Sequence, residues 1–250
     1  HQQLVAGHLG VGGIFAQRAQ EQGGEACDHA GKFTARVFRM LIVLPPSETK
    51  APGGVNDPME LSFPEFEGIR NSLIDALAHT PIEEMDAPAS KRHEAEENHS
   101  LREAPVMPAI HRYTGVLYDA LDAASLPDNA HSRLAVGSAL FGLVRAGDMI
   151  PRYRLSAGSK VAGKTMKAWW GPSISEVLDA EPFVVDLRSG AYQQLGPVPG
   201  TVTVRVERDG KVVSHFNKQY KGELARVLAL GPQVDSVEGV ADVARAAGMD

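Results

Sequence analysis

Apolar residues follow two rhythms along this chain. Leu41-Ile42-Val43-Leu44 is an unbroken apolar run stopped by Pro45-Pro46, the pattern of a buried strand that ends in a rigid loop. From Pro64 to His79 the period lengthens. Phe66, Ile69, Leu73, Ile74 and Leu77 recur at helical spacing, with Pro64 near the start, which predicts a helix with one buried face. Pro88–Arg102 carries Lys91, Arg92, Glu94, Glu96, Glu97 and Arg102 and reads as a charged, exposed helix. Val116–Ala124 reads as a short helix and Leu134-Ala135-Val136 as a second strand. In Lys164–Leu178 the apolar residues Met166, Trp169, Trp170, Ile174, Val177 and Leu178 are interrupted by Gly171-Pro172, so two helical pieces are expected. Phe183–Asp186 is a buried-strand pattern. Thr201–Glu207 and Lys211–Phe216 alternate around Asp209-Gly210, which predicts a hairpin. Asn217–Leu230 then predicts a helix stopped by Gly231-Pro232, and a last helix covers roughly 237–247.

Strands and helices interleave, no Gly/Ser linker divides 40–230, and no internal repeat is found. The expected fold is α+β, a single domain over 40–250 with a mixed, partly antiparallel central sheet surrounded by helices. Residues 1–39 lack a sustained apolar period and read as a disordered or non-native N-terminal extension, with Met40 the more natural start. The chain of 250 residues has one cysteine, Cys27. An intrachain disulfide and a cysteine zinc site are therefore excluded. A lone thiol suits the cytoplasm. No apolar run approaches the roughly 18 residues of a membrane span. A monomer without a membrane partner is expected.

Charge changes the picture because it is uneven. The net charge is −6, yet 40–150 holds 8 basic and 17 acidic residues while 151–226 holds 12 basic and 7 acidic. A basic third within an acidic chain can serve an anionic partner, since the field at a surface depends on local charge.

Gly158–Thr165 spells GSKVAGKT, a literal match to a phosphate-binding loop. The preceding Tyr153–Ala157 is too short and polar for the buried strand such a loop needs, so a Gly-rich turn before a helix is expected. Ser47-Glu48-Thr49-Lys50 has the S-x-x-K spacing, but the S-D-N and K-T-G partners are missing. It instead places a serine and a lysine at the carboxyl end of a strand, where ligands favour binding. His93-Glu94 and His99 lack the spacing of a helical metal motif, and no metal or cofactor is expected.

Several segments together resemble the YaaA (UPF0246) peroxide-stress family. They are PPSETK (Pro45–Lys50), RYTGVLYDAL (Arg112–Leu121), SALFGLVRAGDMIPRYRLSAG (Ser138–Gly158), the pair Trp170-Gly171, the set Val185, Leu187, Ser189 and Tyr192, and SHFNKQYKGELARVLA, with Ser214, Lys218, Lys221, Gly222 and Arg226. The matches run in order over most of the chain. The resemblance implies a protein that limits oxidative damage under peroxide stress. It also implies DNA binding through a helix-hairpin-helix element and a basic groove. The corresponding stretch here, Pro81–Arg102, has no glycine and is acidic, so this chain departs from that pattern where DNA contact would be expected.

Three functions remain open at this stage. The first is a non-enzymatic protective protein that binds DNA or another anionic ligand in a basic cleft. The second is an enzyme acting on a small anionic or nucleobase-like substrate in the same cleft. The third is an interaction module, which no specific feature supports. Twelve residues form the expected site: Ser47, Lys50, Tyr113, Thr114, Arg145, Asp148, Tyr153, Arg154, Ser214, Lys218, Lys221 and Arg226. Arg152 is a further candidate for phosphate contact. All but Asp148 carry cationic or hydroxyl groups suited to an anion, and Asp148 is expected to orient Arg145 or Arg154 by a salt bridge.

Overall fold

In the computed structural model, the described residues are 2–6, 40–85, 87–208, 211–212 and 214–249. Strand β1 (Gln2–Ala6) comes first, then β2 (Met40–Leu44). A turn of 3-10 helix at Pro64–Phe66 leads into helix α1 (Glu67–Ala78). Next come α2 (Arg92–Glu96), β3 (Val106–Pro108), α3 (Ala109–Arg112), α4 (Val116–Leu121) and α5 (Asp128–His131). The middle of the chain forms β4 (Leu134–Ser138), β5 (Gly142–Arg145), β6 (Met149–Pro151), β7 (Lys160–Val161) and β8 (Lys164–Thr165). It continues into α6 (Met166–Trp170), α7 (Ser173–Asp179), β9 (Phe183–Asp186) and α8 (Gly190–Gln193). The last elements are β10 (Val202–Arg208), β11 (Lys211–Val212), α9 (Ser214–Leu230) and α10 (Val237–Ala246).

The main sheet has the order β1-β10-β9-β2-β4-β5, with β11 also on β10. Its four inner strands β10, β9, β2 and β4 are parallel to one another. Strands β5, β1 and β11 add antiparallel pairs at the margins. The fold is therefore α+β, one domain around a mixed sheet. Strand β2 takes the middle because all five of its residues are buried, and only a strand covered on both faces can be apolar throughout. Strand β1 lies at the sheet edge. The rest of the expected extension, 7–39, lies outside the described residues.

The β4–β5 connection is fixed by a close approach. Gly142 has φ +73°, and a Cβ there would meet the Trp170 ring at 2.8 Å. Trp170 packs edge-on against Phe66, and its indole N–H donates to the Ala139 carbonyl at 2.8 Å. Arg70, buried on α1, donates to the Phe141 and Leu143 carbonyls. The serine that closes β4, Ser138, is thereby held in a rigid frame.

Two local expectations change, and the turn expected at GSKVAGKT holds. Pro88–Arg102 is not one solvated helix. It is a single α-helical turn and a half flanked by 3-10 turns, and Glu94, Ala95 and Asn98 are buried. Glu94 and Glu97 face Arg152 and Arg154, while Arg92, Glu96 and Arg102 stay exposed. The second hairpin arm is only Lys211–Val212, because α9 begins at Ser214. The turn itself, Asp209-Gly210, lies outside the described residues. Finally, GSKVAGKT forms the tight hairpin β7–β8, with Ala162 and Gly163 both at positive φ as a primed turn requires. Thr165 then caps α6 through the Ala168 N–H. Lys164 lies over the Trp169 ring at 4.3 Å.

Candidate functional site

Because β2, β4 and β9 are parallel, their carboxyl ends share one edge of the sheet. The loop after β2 carries Ser47 and Lys50, β4 ends on Ser138, and β9 ends on Asp186. Such an edge is where open α/β sheets hold ligands.

The loop after β2 is tied down by backbone and side chains. Lys50 pairs with Tyr113 as an isolated antiparallel bridge. The Ala51 N–H donates to the Arg112 carbonyl at 2.8 Å, and Thr114 N–H donates to Ser47 Oγ at 3.0 Å. Thr114 Oγ1 reaches the Thr49 carbonyl at 3.1 Å. Arg112 is fully buried and donates to the carbonyls of Ala51, Gly53, Pro105 and Ile150. Every one of its partners is backbone, so Arg112 is a structural clamp that fixes the loop.

Lys50 stands at the centre. Its ammonium is enclosed, 4.3 Å from the centroid of the Tyr153 ring and 5.5 Å from that of Tyr113. Among the described residues its one hydrogen bond goes to the Ser47 carbonyl, at 3.1 Å. No carboxylate of the described residues pairs with it. Burial lowers its pKa to about 7, the positive charges of Arg154 and Arg152 push the same way, and Glu94 and Glu48 oppose them. The ring faces favour the ammonium by about 0.5–2 kcal/mol, which is less than the effect of losing water. A substantial share of Lys50 is therefore free amine at neutral pH.

Beside it runs a chain of buried hydroxyls. Tyr113 and Tyr153 share a hydrogen bond at 2.8 Å, Tyr153 and Ser138 one at 2.7 Å, and the Phe141 N–H donates to Ser138 Oγ at 3.0 Å. Burial raises both tyrosines well above the usual range. They stay protonated and act as hydrogen-bond donors. Tyr118 stacks on Tyr113 and donates to the Pro45 carbonyl. Tyr192 is also raised, by burial and then by Tyr153.

The cationic side is made by Arg152 and Arg154. Arg154 Nη1 reaches Glu94 Oε2 at 3.2 Å, and Arg152 reaches Glu94 at 3.1 Å and Glu97 at 2.9 Å. Asn98 accepts from the Arg154 N–H and donates to the Arg154 carbonyl. Burial pushes Glu94 up, but Lys91, Arg152 and Arg154 outweigh it and hold the carboxyl below its ordinary value. Arg154 Nε is buried without a hydrogen-bond partner, an unfilled donor of the kind that native interiors seldom leave.

The twelve expected residues fall into separate groups. Ser47, Lys50, Tyr113, Thr114 and Tyr153 come together, with Arg154 close enough to act on Lys50. Arg145 and Asp148 lie in another constellation. The Arg145 guanidinium pairs with Glu181 at 2.7 Å and covers the Phe63 ring. Asp148 accepts from the Arg145 N–H and from Ser62, so it holds the backbone of Arg145. Lys221 is buried against the Leu187 and Arg188 carbonyls. Arg226 ties α9 to the carbonyls of Leu121 and Asp122. Lys218 is exposed on α9, and the side chain of Ser214 lies outside the described residues. Ser138, Tyr118 and Glu94 were not among the expected residues. Ser138 opens the stretch that carries the family resemblance, and that was its only signal. Glu94 was hidden in a segment whose charges looked solvated.

A depression of about 390 Å³ borders Tyr113 and Tyr118 on one side. Its lining includes Asp119 and Asp122, which suits an anion poorly. Among the described residues no group of three metal-ligating side chains occurs, and no helix is long and apolar enough to cross a membrane.

A family model described as peroxide stress protein YaaA matches residues 40–248. A UPF0246 protein of Corynebacterium efficiens is 56% identical over 234 residues, covering 84% of this chain and 94% of the relative. One from Corynebacterium glutamicum is 54% identical with the same coverage. One from Streptomyces coelicolor is 39% identical, covering 83% of this chain and 88% of the relative.

Proposed function

Because the chain belongs to the YaaA family of peroxide stress proteins, we propose that it serves the response to peroxide by binding a small anionic molecule beside Lys50. Arg154 and Arg152 supply the charge, and the hydroxyl chain of Tyr113, Tyr153 and Ser138 supplies neutral donors. The observation that carries this reading is a lysine with no carboxylate partner among the described residues, acted on by an arginine whose Nε donor is unfilled among them. An anion would satisfy both at once.

The state of the arginines favours a small ligand over a DNA groove. The side chains of Arg152 and Arg154 are only 23% and 19% exposed and already engage Glu94. Phosphates of a duplex are met by cations that reach out into solvent. The test is calorimetry with pyrophosphate and nucleoside monophosphates, set against duplex DNA at low and high salt. Saturable anion binding that changes little with salt, and weakens about tenfold or more in Arg154→Ala, worth about 1.4 kcal/mol, is the expected result. Duplex binding that falls steeply with salt, with no small anion bound, would overturn it.

A further inference from the structure

Lys50 has a geometry that anion binding alone does not require. A lysine that only attracts an anion is best left in solvent, fully charged. This one is drawn into the protein, with its amine between the ring faces of Tyr153 and Tyr113. Its backbone is pinned by the bridge to Tyr113, and the loop on either side is locked by Arg112 and Thr114. The charged and titratable groups that bear on it are Arg154 and Arg152 after β6, Glu94 on α2, Glu48 on its own loop, and the two tyrosines. The Glu94 carboxylate is spent on Lys91, Arg152 and Arg154. The buried Lys221 differs in its partners. It donates to two carbonyls and has Asp186 to favour its charge.

We infer that Lys50 Nζ is a nucleophile that forms an imine with the aldehyde or ketone group of a small anionic molecule held by Arg154. This rests on the proposed anion site and adds the reacting group. The amine lone pair adds to the carbonyl carbon to give a carbinolamine. The oxygen then leaves as water, taking the two hydrogens of the amine, and a carbon–nitrogen double bond remains. No oxidant or reductant is needed, and water reverses the step. Tyr153 and Tyr113, kept protonated by burial, can donate hydrogen bonds to the oxygen as it departs. Lysines that react with carbonyls in this way are desolvated or set beside other cations, and Lys50 is both.

Reductive trapping tests this on the whole protein. Glyoxylate, a small aldehyde bearing a carboxylate, is offered with cyanoborohydride near pH 7, and acetaldehyde serves as the neutral control. Labelled lysines are mapped by peptide mass. The expected result is labelling of Lys50 at least about tenfold faster than of the exposed Lys160, Lys164, Lys167 and Lys218, because an ordinary lysine is almost wholly ammonium at that pH. The rate should have its midpoint near pH 7, and Lys50→Met should lose only this label. Label confined to the exposed lysines, or appearing on Lys50 only above about pH 9, overturns the nucleophile. Such an outcome would leave anion binding by Arg154 standing. Conversely, fast labelling of Lys50 by both aldehydes, unchanged in Arg154→Ala, supports the nucleophile and removes the anion site. A preference for glyoxylate that Arg154→Ala abolishes supports both.

Discussion

Two cationic centres, one buried and one partly buried, lie at the same edge of the sheet and are built on opposite principles. At the end of β9, Arg188 is 2% exposed and grips Asp186 through both carboxylate oxygens, at 2.9 Å each. It also donates to the Gly196 and Tyr192 carbonyls, and it crosses Gly137 of β4 so closely that a Cβ there would meet Arg188 Cδ at 2.8 Å. Lys221 closes this corner from α9. At the end of β2, Lys50 has, among the described residues, one carbonyl, two ring faces and no carboxylate. Burial in both places costs solvation. Only the β9 corner returns it fully through hydrogen bonds. The difference separates a site that holds the fold from one that is kept ready for something else.

The largest effect should come from breaking the satisfied centre. Arg188→Ala strips the buried Asp186 carboxylate of its guanidinium and leaves it the residue-188 N–H and the more distant Lys221 charge; it should cost about 3–5 kcal/mol of stability, read as the shift in a urea unfolding midpoint. A cost below about 1 kcal/mol would mean that water enters and replaces the guanidinium, and the contrast between the centres would collapse.

A smaller effect sharpens the comparison directly. Lys221→Met strands the Leu187 carbonyl and removes a positive charge near Asp186, a loss of about 1–3 kcal/mol. Lys50→Met removes a poorly paired cation and keeps the apolar stem against the rings, so stability should stay within about 1 kcal/mol of wild type or rise. Equal losses in the two variants would show that Lys50 is structural after all.

The two centres were also unequally legible in the sequence. The elements that bear the site were readable because each follows a rule of pattern. Leu41–Leu44 is a continuous apolar run, and Pro45-Pro46 ends it where the Lys50 loop must begin. Lys50, Tyr113 and Tyr153 could be grouped from the family resemblance. The division of labour among the cations could not. Arg145, Arg154, Lys221 and Arg226 look alike as letters. Their roles depend on contacts distant in sequence, such as Arg145 with Glu181 and Arg226 with the Leu121 carbonyl. Pro88–Arg102 misled for the same reason. Its charges fit a solvated helix, and only the approach of Arg152 and Arg154 turns Glu94 inward. The hairpin around Asp209-Gly210 was overextended because alternation continues past Val212 into residues that α9 takes for its first turn.

The effect most specific to Lys50 is a pH dependence. Its pKa is about 7 in the folded protein and 10.5 when unperturbed. Between those values the unfolded chain binds one proton more than the folded one, so this group makes stability rise with pH across the window. Below about pH 7 both states are protonated, and the cost of the buried charge is fully present. Methionine carries no such cost. The melting temperature of Lys50→Met relative to wild type should therefore be highest at about pH 6 and decline steadily towards about pH 9. Among the neighbours, Glu94 is held below its ordinary value, and Tyr113 and Tyr153 are raised beyond the window. A difference that is flat with pH would show that Lys50 keeps an ordinary pKa, and the distinction between the two centres would then rest on hydrogen bonding alone.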